Sequence, residues 1–174
     1  MLQGQTITLR ETREGDLPVL TVIRNDVALQ LALMATPRPN TVERVEEWIR
    51  RRAGDTDGAF FVVALPDGAQ PIGFVQLINI EAVHQHADLG ICLLPEHQGG
   101  GRAMEALRLL ERYASFTLAL RKFVLRVLAS NARAIAFYEK SGYRHVGILR
   151  AHHFEAGDFH DVLLMEKLLG KGAA

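Results

Sequence analysis

The stretch Gln98-Gly99-Gly100-Gly101-Arg102-Ala103 constrains this chain more than any other, because of what lies on either side of it. Leu89–Leu94 is apolar, carries no charged residue and reads as a strand; Pro95 and Glu96-His97 mark a turn; Ala103–Leu120 has the spacing of an amphipathic helix. A run of small residues at that junction leaves backbone N–H groups open at a helix N-terminus, where partial positive charge is concentrated. The segment is then either a seat for a phosphate or pyrophosphate, or a flexible glycine turn.

A chain of 174 residues is the usual size of one domain, and 48% apolar with 23% charged residues is an ordinary globular balance. It has no uncharged apolar run of the length needed to span a bilayer. Met1-Leu2-Gln3-Gly4-Gln5 lacks the basic flank and apolar segment of a leader, so a cytoplasmic, non-membrane protein is expected. A single cysteine, Cys92, excludes an internal disulfide framework. It lies in the apolar strand and reads as buried filler rather than a nucleophile.

Twenty basic and twenty acidic residues cancel, which argues against a non-specific nucleic-acid binder. The charge is uneven, however. Residues 1–90 carry eight basic and twelve acidic side chains, and residues 91–174 the reverse. Facing each other across a cleft, the two halves would suit an anionic ligand on one wall and a cationic one on the other.

Periodicity orders the rest. Thr6–Arg10 alternates as a short strand, Glu14–Val27 reads as a helix with Pro18 in its first turn, and Thr41 caps a helix over Val42–Arg52. Ala59–Leu65 and Pro71–Ile80 flank an Asp-Gly turn, and Ala87–Leu94 is the next strand. Phe123–Leu128 is a strand, Asn131 caps a helix over Ala132–Ser141, and Gly142 ends it. Tyr143–Phe154 and Phe159–Leu168 form a hairpin. The order βααβββαβαββ, without linker or repeat, predicts a single α/β domain over 1–174 with a central mixed sheet flanked by helices.

The glycine loop is not a nucleoside-triphosphate loop, since no Lys-Ser or Lys-Thr follows, and it does not follow the first strand of a βαβ unit. A second constellation is Asn131-Ala132-Arg133-Ala134-Ile135-Ala136-Phe137-Tyr138-Glu139-Lys140-Ser141-Gly142-Tyr143. Tyr138 sits there among apolar residues. It is either a core aromatic with a satisfied hydroxyl or a proton donor suited to a leaving thiolate. His84, His86, His97, His152 and His153 show no recognised ligand spacing with Cys, Asp or Glu, so no metal is expected.

Together, Gln98-Gly99-Gly100-Gly101-Arg102-Ala103 and Asn131…Ala134-Ile135…Phe137-Tyr138…Lys140…Gly142-Tyr143 resemble the acetyl-CoA motifs of the GNAT N-acetyltransferases, in register over about residues 5–168. Leu93-Leu94-Pro95-Glu96-His97-Gln98-Gly99 and Gly157–Leu164 resemble the branch with the ribosomal-protein alanine acetyltransferases. Gly73–Ile80, Val83-His84 and Ala87-Asp88-Leu89 resemble spermidine acetyltransferases.

The resemblance implies direct acetyl transfer from acetyl-CoA to a primary amine. Amides from Gln98 through Ala103 would hold the CoA pyrophosphate, Gly100 standing where many relatives carry lysine or another side chain. A bulge near Ile91, Cys92 and Leu93 would free main-chain groups for the pantetheine arm, with Asn131, Phe137 and Lys140 beside the cofactor. Tyr138 would be the general acid. The base is left among Asp88, Glu81, His84 and His86, with Asp88 and Glu81 foremost. A homodimer is implied, and the apolar Val162–Leu169 either needs a partner to cover it or is central in its own sheet. Glu43, Glu46, Glu47, Glu81 and Asp88 would attract a cationic acceptor, while Ala35–Asn40 holds no carboxylate and so favours a protein or peptide α-amine over a polyamine or other small amine. A CoA-binding sensor without transfer activity is the rival.

Overall fold

A computed structural model of the chain describes residues 1–170. Eight strands form one sheet: β1 Leu2–Gln3, β2 Thr8–Arg10, β3 Ala59–Ala64, β4 Pro71–Glu81, β5 His86–Leu93, β6 Lys122–Leu128, β7 Arg144–Glu155 and β8 Asp158–Leu168. Their spatial order is β1-β2-β3-β4-β5-β6-β8-β7. All neighbours pair antiparallel except β5 and β6, which are parallel, so the sheet is mixed as the element order predicts.

Alternation along the strands divides the core in two. Val75, Leu77, Ala87, Leu89 and Leu93 pack on one face against helix α4 (Arg102–Thr117), with Tyr138 of α5 (Ala132–Lys140) in the same cluster. Val62, Phe74, Cys92 and Leu94 face the other way, under α1 (Leu17–Asn25), α2 (Val27–Ala32) and α3 (Val42–Ala53). Burying both faces is what makes β4 and β5 nearly continuous apolar runs. Strands β4 and β5 approach so closely at Gly73 that a Cβ there would lie 2.1 Å from the Cys92 carbonyl oxygen.

The N-terminal elements are tied together by a charge pair that periodicity does not reveal. Arg10 donates from Nη1 and Nη2 to the two carboxylate oxygens of Asp16, each at 2.7 Å, and from Nε to the Gly68 carbonyl. Asp16 also accepts the Arg13 amide. Both side chains are at most 2% exposed, and each guanidinium nitrogen has a partner inside the protein.

Two helix readings are corrected here, and one open alternative is decided. The single helix over Glu14–Val27 is instead a 3₁₀ turn (Glu14–Asp16), α1 and α2, the last two separated by Asp26. Asp26 has extended ψ (110°), and its carboxylate accepts the Leu29 amide at 2.9 Å, which ends one helix and starts the next. The C-terminal apolar strand needs no partner chain, because β8 lies between β6 and β7. The helix read as Ala103–Leu120 stops at Thr117, where Ala119 turns to a φ of +53°.

Candidate active site

The site begins where the sheet comes apart. Against β4, strand β5 pairs in unbroken step from Ile78↔Asp88 to Gly73↔Leu93. Against β6 it pairs only from His86↔Lys122 to Asp88↔Val124. From Leu89 onward the β6 edge of β5 has no ladder partner, and its main-chain groups border a groove. The expected bulge at Ile91, Cys92 and Leu93 is therefore absent. The one irregularity with β4 falls between Ile78 and Glu81, and it is the parting of two parallel strands that frees the backbone.

The groove encloses about 1570 Å³, above the roughly 300–1,000 Å³ of common small-ligand sites, as a long ligand requires. It is lined by Ile91, Cys92 and Leu93, by Gln98, Gly99, Gly100, Gly101 and Ala103, and by Asn131, Phe137, Tyr138 and Lys140. The two motifs, separated in sequence by the rest of α4 and by β6, thus share one cleft. Arg102, Asp88 and Glu81 are not among the lining residues. Asp88 accepts a hydrogen bond from Asn79 Nδ2 at 2.9 Å, and Glu81 is exposed at the end of β4.

The glycine loop has the form of an anion cradle. Gly99, Gly100 and Gly101 have φ of +89°, +58° and +81°, a left-handed run that other residues adopt only with strain. Among the described residues, the amides of Gly99, Gly100, Gly101 and Ala103 make no hydrogen bond, and they stand at the start of the 16-residue α4. Nothing lies within 4 Å of a Cβ built on Gly99 or Gly101. The amides of Gln98 and Arg102 are used inside the turn, bonding the carbonyls of Pro95 and Gly99. Gln98 serves instead as an anchor, its Nε2 donating to the Leu93 carbonyl at 2.9 Å. The amide set expected from Gln98 through Ala103 thus narrows to the glycines and Ala103.

Charge agrees with the cradle. Arg108, Arg112, Arg126, Arg133 and Lys140 line the groove, and none is in an ion pair among the described residues. Glu105, the one lining acid among the described residues, is spent on Thr6 and on the Gln5 amide. Burial opposes its ionisation, but those bonds prevail and hold its carboxyl below the usual range. The basic wall foreseen from the sequence is therefore assembled. The acidic one is not, since Glu43, Glu46, Glu47, Glu81 and Asp88 all lie outside the lining.

At the inner end, Tyr138 is 9% exposed, with the rings of Phe137 and Tyr143 at 5.1 and 5.5 Å. Burial, and after it the neighbouring Cys92, pushes its hydroxyl up to about 12, so it stays protonated at any working pH. Burial, with Asp26 adding to it, pushes the Cys92 thiol to about 12 as well. Held neutral in this way, Cys92 itself is no nucleophile. Asn131 caps α5 through the Ala134 amide at 3.1 Å, aiming that helix and Tyr138 at the groove.

Sequence reasoning missed the wall made by α2. Ala28, Leu29, Ala32 and Leu33 line the groove, and the signal that could have found them was Asp26, a strong cap residue before an apolar hexamer. Among the described residues, no group of three or more His, Cys, Asp or Glu side chains is placed to hold a metal ion, and no helix is long and apolar enough to cross a membrane.

Known proteins share this arrangement. An acetyltransferase (GNAT) domain model matches residues 6–144. A spermidine N(1)-acetyltransferase of Vibrio cholerae is 31% identical, covering 95% of this chain and 94% of that protein. A candidate ribosomal N-acetyltransferase of Bacillus subtilis is 26% identical over 91% of this chain and 87% of its own length. A crystal structure of the Vibrio cholerae spermidine N-acetyltransferase with CoA and spermine superimposes with a TM-score of 0.88 at 30% identity, over 97% of this chain and 98% of the other. That protein has also been solved as a dodecamer. The leaning toward the ribosomal-protein branch is corrected accordingly, because likeness to the spermidine enzymes is the stronger. With its parted strands, cationic groove and open glycine cradle, the chain belongs to the GNAT family and is an acetyl-CoA-dependent N-acetyltransferase.

Proposed function

We propose that this enzyme acetylates a primary amine of a polyamine or a similar small cationic amine. The observation that carries the reading is full-length likeness to spermidine acetyltransferases, joined to a groove whose free amides and unpaired cations suit CoA phosphates. Acetyl-CoA supplies the activated acetyl group. The amides of Gly99, Gly100, Gly101 and Ala103 hold its pyrophosphate, with Arg126, Arg133 and Lys140 as partners for its charge. Main-chain groups of Leu89–Leu93 on the open edge of β5 hold the arm and the acetyl carbonyl.

An alkylammonium has no lone pair and must lose its proton before it attacks. Asp88, steadied by Asn79, accepts that proton through water, and Glu81 is the weaker choice because it is exposed. Tyr138 gives its proton to the departing sulfur. Transfer is direct, since Cys92 is held neutral.

A protein α-amine is the second reading, supported by the lack of any carboxylate in Ala35–Asn40. A screen for CoA release with spermidine, an aminoglycoside and short Ala- and Ser-initiated peptides separates the two. Turnover of spermidine is expected, and turnover of peptides alone would overturn the choice.

We propose in addition that the chain forms at least a homodimer. The support now comes from the edge strand β7 and its hairpin, where Val146, Ile148, Phe154 and Phe159 are 47–62% exposed, and from the oligomeric relative. Light scattering at micromolar concentration tests this, and a monomer mass would refute it.

A further inference from the structure

We propose that a small side cavity next to the groove binds the 3′-phosphate of CoA through Arg108 and Lys140, so that the enzyme prefers the 3′-phosphorylated cofactor to its dephosphorylated form. The assignment rests on the transferase reading above. The cavity encloses about 230 Å³. One wall is a stripe of α4, Met104, Leu107, Arg108 and Glu111, with the spacing of a single helical face. Lys140 at the end of α5, the following Ser141, and Lys167 of β8 form the other. Met104, Arg108 and Lys140 line the groove as well, so the two spaces adjoin.

Most of the polar side chains here are already engaged within the fold. Lys167 Nζ donates to both carboxylate oxygens of Glu111, at 2.8 and 2.7 Å, and Ser141 Oγ donates to the Phe137 carbonyl at 2.7 Å. Arg108 and Lys140 form no ion pair among the described residues. With Glu111 and Lys167 cancelling, the lining keeps the two positive charges of Arg108 and Lys140. A phosphomonoester near neutral pH carries about two negative charges. Of the cations that line the groove, Arg112, Arg126 and Arg133 do not reach the side cavity, and only these two line both spaces.

The position fits the chemistry of the cofactor. Its pyrophosphate is suited to the open amides of Gly99, Gly100, Gly101 and Ala103. Along the axis of α4, Met104 lies about 4.5 Å and Arg108 about 10 Å beyond Gly101, at the rise of a helix. Helical side chains lean toward the N-terminus, so Arg108 reaches back over the turn that carries Met104. In CoA one ribose joins the pyrophosphate, at its 5′ carbon, to the monoester at its 3′ carbon. An anionic group one sugar away from the cradle therefore meets the side cavity. A guanidinium offers paired donors and an ammonium a compact charge, which together suit a terminal phosphate with three open oxygens. The thioester is at the far end of the cofactor, so this pair selects which cofactor binds and leaves the transfer step to others.

Calorimetry with CoA and with 3′-dephospho-CoA tests this on the wild type, Arg108→Gln, Lys140→Gln and the double variant, all at one salt concentration. The wild type should bind CoA about tenfold or more tightly than 3′-dephospho-CoA. Each substitution should shrink that preference and the double variant should nearly abolish it, by weakening CoA while 3′-dephospho-CoA affinity and Tm stay near those of the wild type. In steady-state kinetics the double variant should show a raised KM for acetyl-CoA with kcat little changed. Equal wild-type affinity for the two cofactors, or an equal loss of both in the double variant, would overturn the assignment and leave the transferase reading standing. Wild-type protein that binds neither would remove both.

Discussion

Arg10 and the cations of the groove are the same kind of residue put to opposite uses. Arg10 is 1% exposed and has matched its guanidinium to Asp16 and to the Gly68 and Glu11 carbonyls. Arg108, Arg112, Arg126, Arg133 and Lys140 line the groove and form no ion pair among the described residues. A charge that is fully matched inside the fold can do little but hold elements together. One left unmatched beside open backbone amides carries a cost that an anionic ligand relieves. The same contrast divides the hydroxyl groups. Thr6 is bonded to Glu105, whereas the buried Tyr138 hydroxyl makes no hydrogen bond among the described residues.

That division can be broken first at Tyr138, where the largest effect is expected. As the proposed acid it has been kept free for chemistry, so Tyr138→Phe should lower kcat by about 10²–10⁴-fold. Acetyl-CoA affinity and Tm should stay near those of the wild type, as calorimetry and thermal melting would show. An unchanged kcat would move Tyr138 to the structural class.

Asp16→Ala tests the other side. It leaves Arg10 as an unmatched buried charge and should cost about 3–5 kcal/mol in a denaturant titration. The protein that remains folded should bind acetyl-CoA normally. A loss of affinity without loss of stability would erase the distinction between the two sets of cations.

A smaller effect is expected from Arg126→Gln with Lys140→Gln. Neither side chain is in an ion pair among the described residues, so Tm should hold while acetyl-CoA binding weakens by about tenfold and becomes less sensitive to salt. A stability loss with intact affinity would show that these cations belong with Arg10. The smallest change is expected at Cys92. Cys92→Ala should retain transfer at a cost of about 1 kcal/mol. With its thiol pushed up to about 12, native Cys92 should resist alkylation at pH 8, and its reactivity should grow only as pH approaches that value or as the protein unfolds. Rapid alkylation at pH 8, read by intact mass, would contradict this.

Where local chemistry dominates, reading the chain and viewing its fold agree. The strand–glycine–helix junction at Leu89–Ala103, the Asn131 cap and the β7–β8 hairpin each depend on neighbours in sequence: positive φ for glycine, a carboxamide oxygen for an open amide, an Ala-Gly turn. Most of the order of elements and the mixed sheet follow from periodicity, although the short β1 and the division of α1 from α2 do not. The two motifs that line the groove were legible for the same reason, since each residue type states its own backbone requirement.

What stayed hidden depends on distance along the chain. The Arg10–Asp16 pair reads as two ordinary surface charges until burial removes water from both. The break at Asp26 was masked by helical spacing on both sides, and with it the wall that α2 contributes. Asp88 and Glu81 look well placed by sequence, yet neither enters the lining, because the point where β5 leaves β6 is set by three-dimensional packing. By itself, then, the sequence determined the mixed α/β order, the anion-ready loop and the tyrosine, because dihedral preferences and hydrogen-bonding capacity are local properties. The tertiary structure alone decided which charges are consumed and which are left free. That choice turns on burial and on which strands part, and no residue carries either in its own identity.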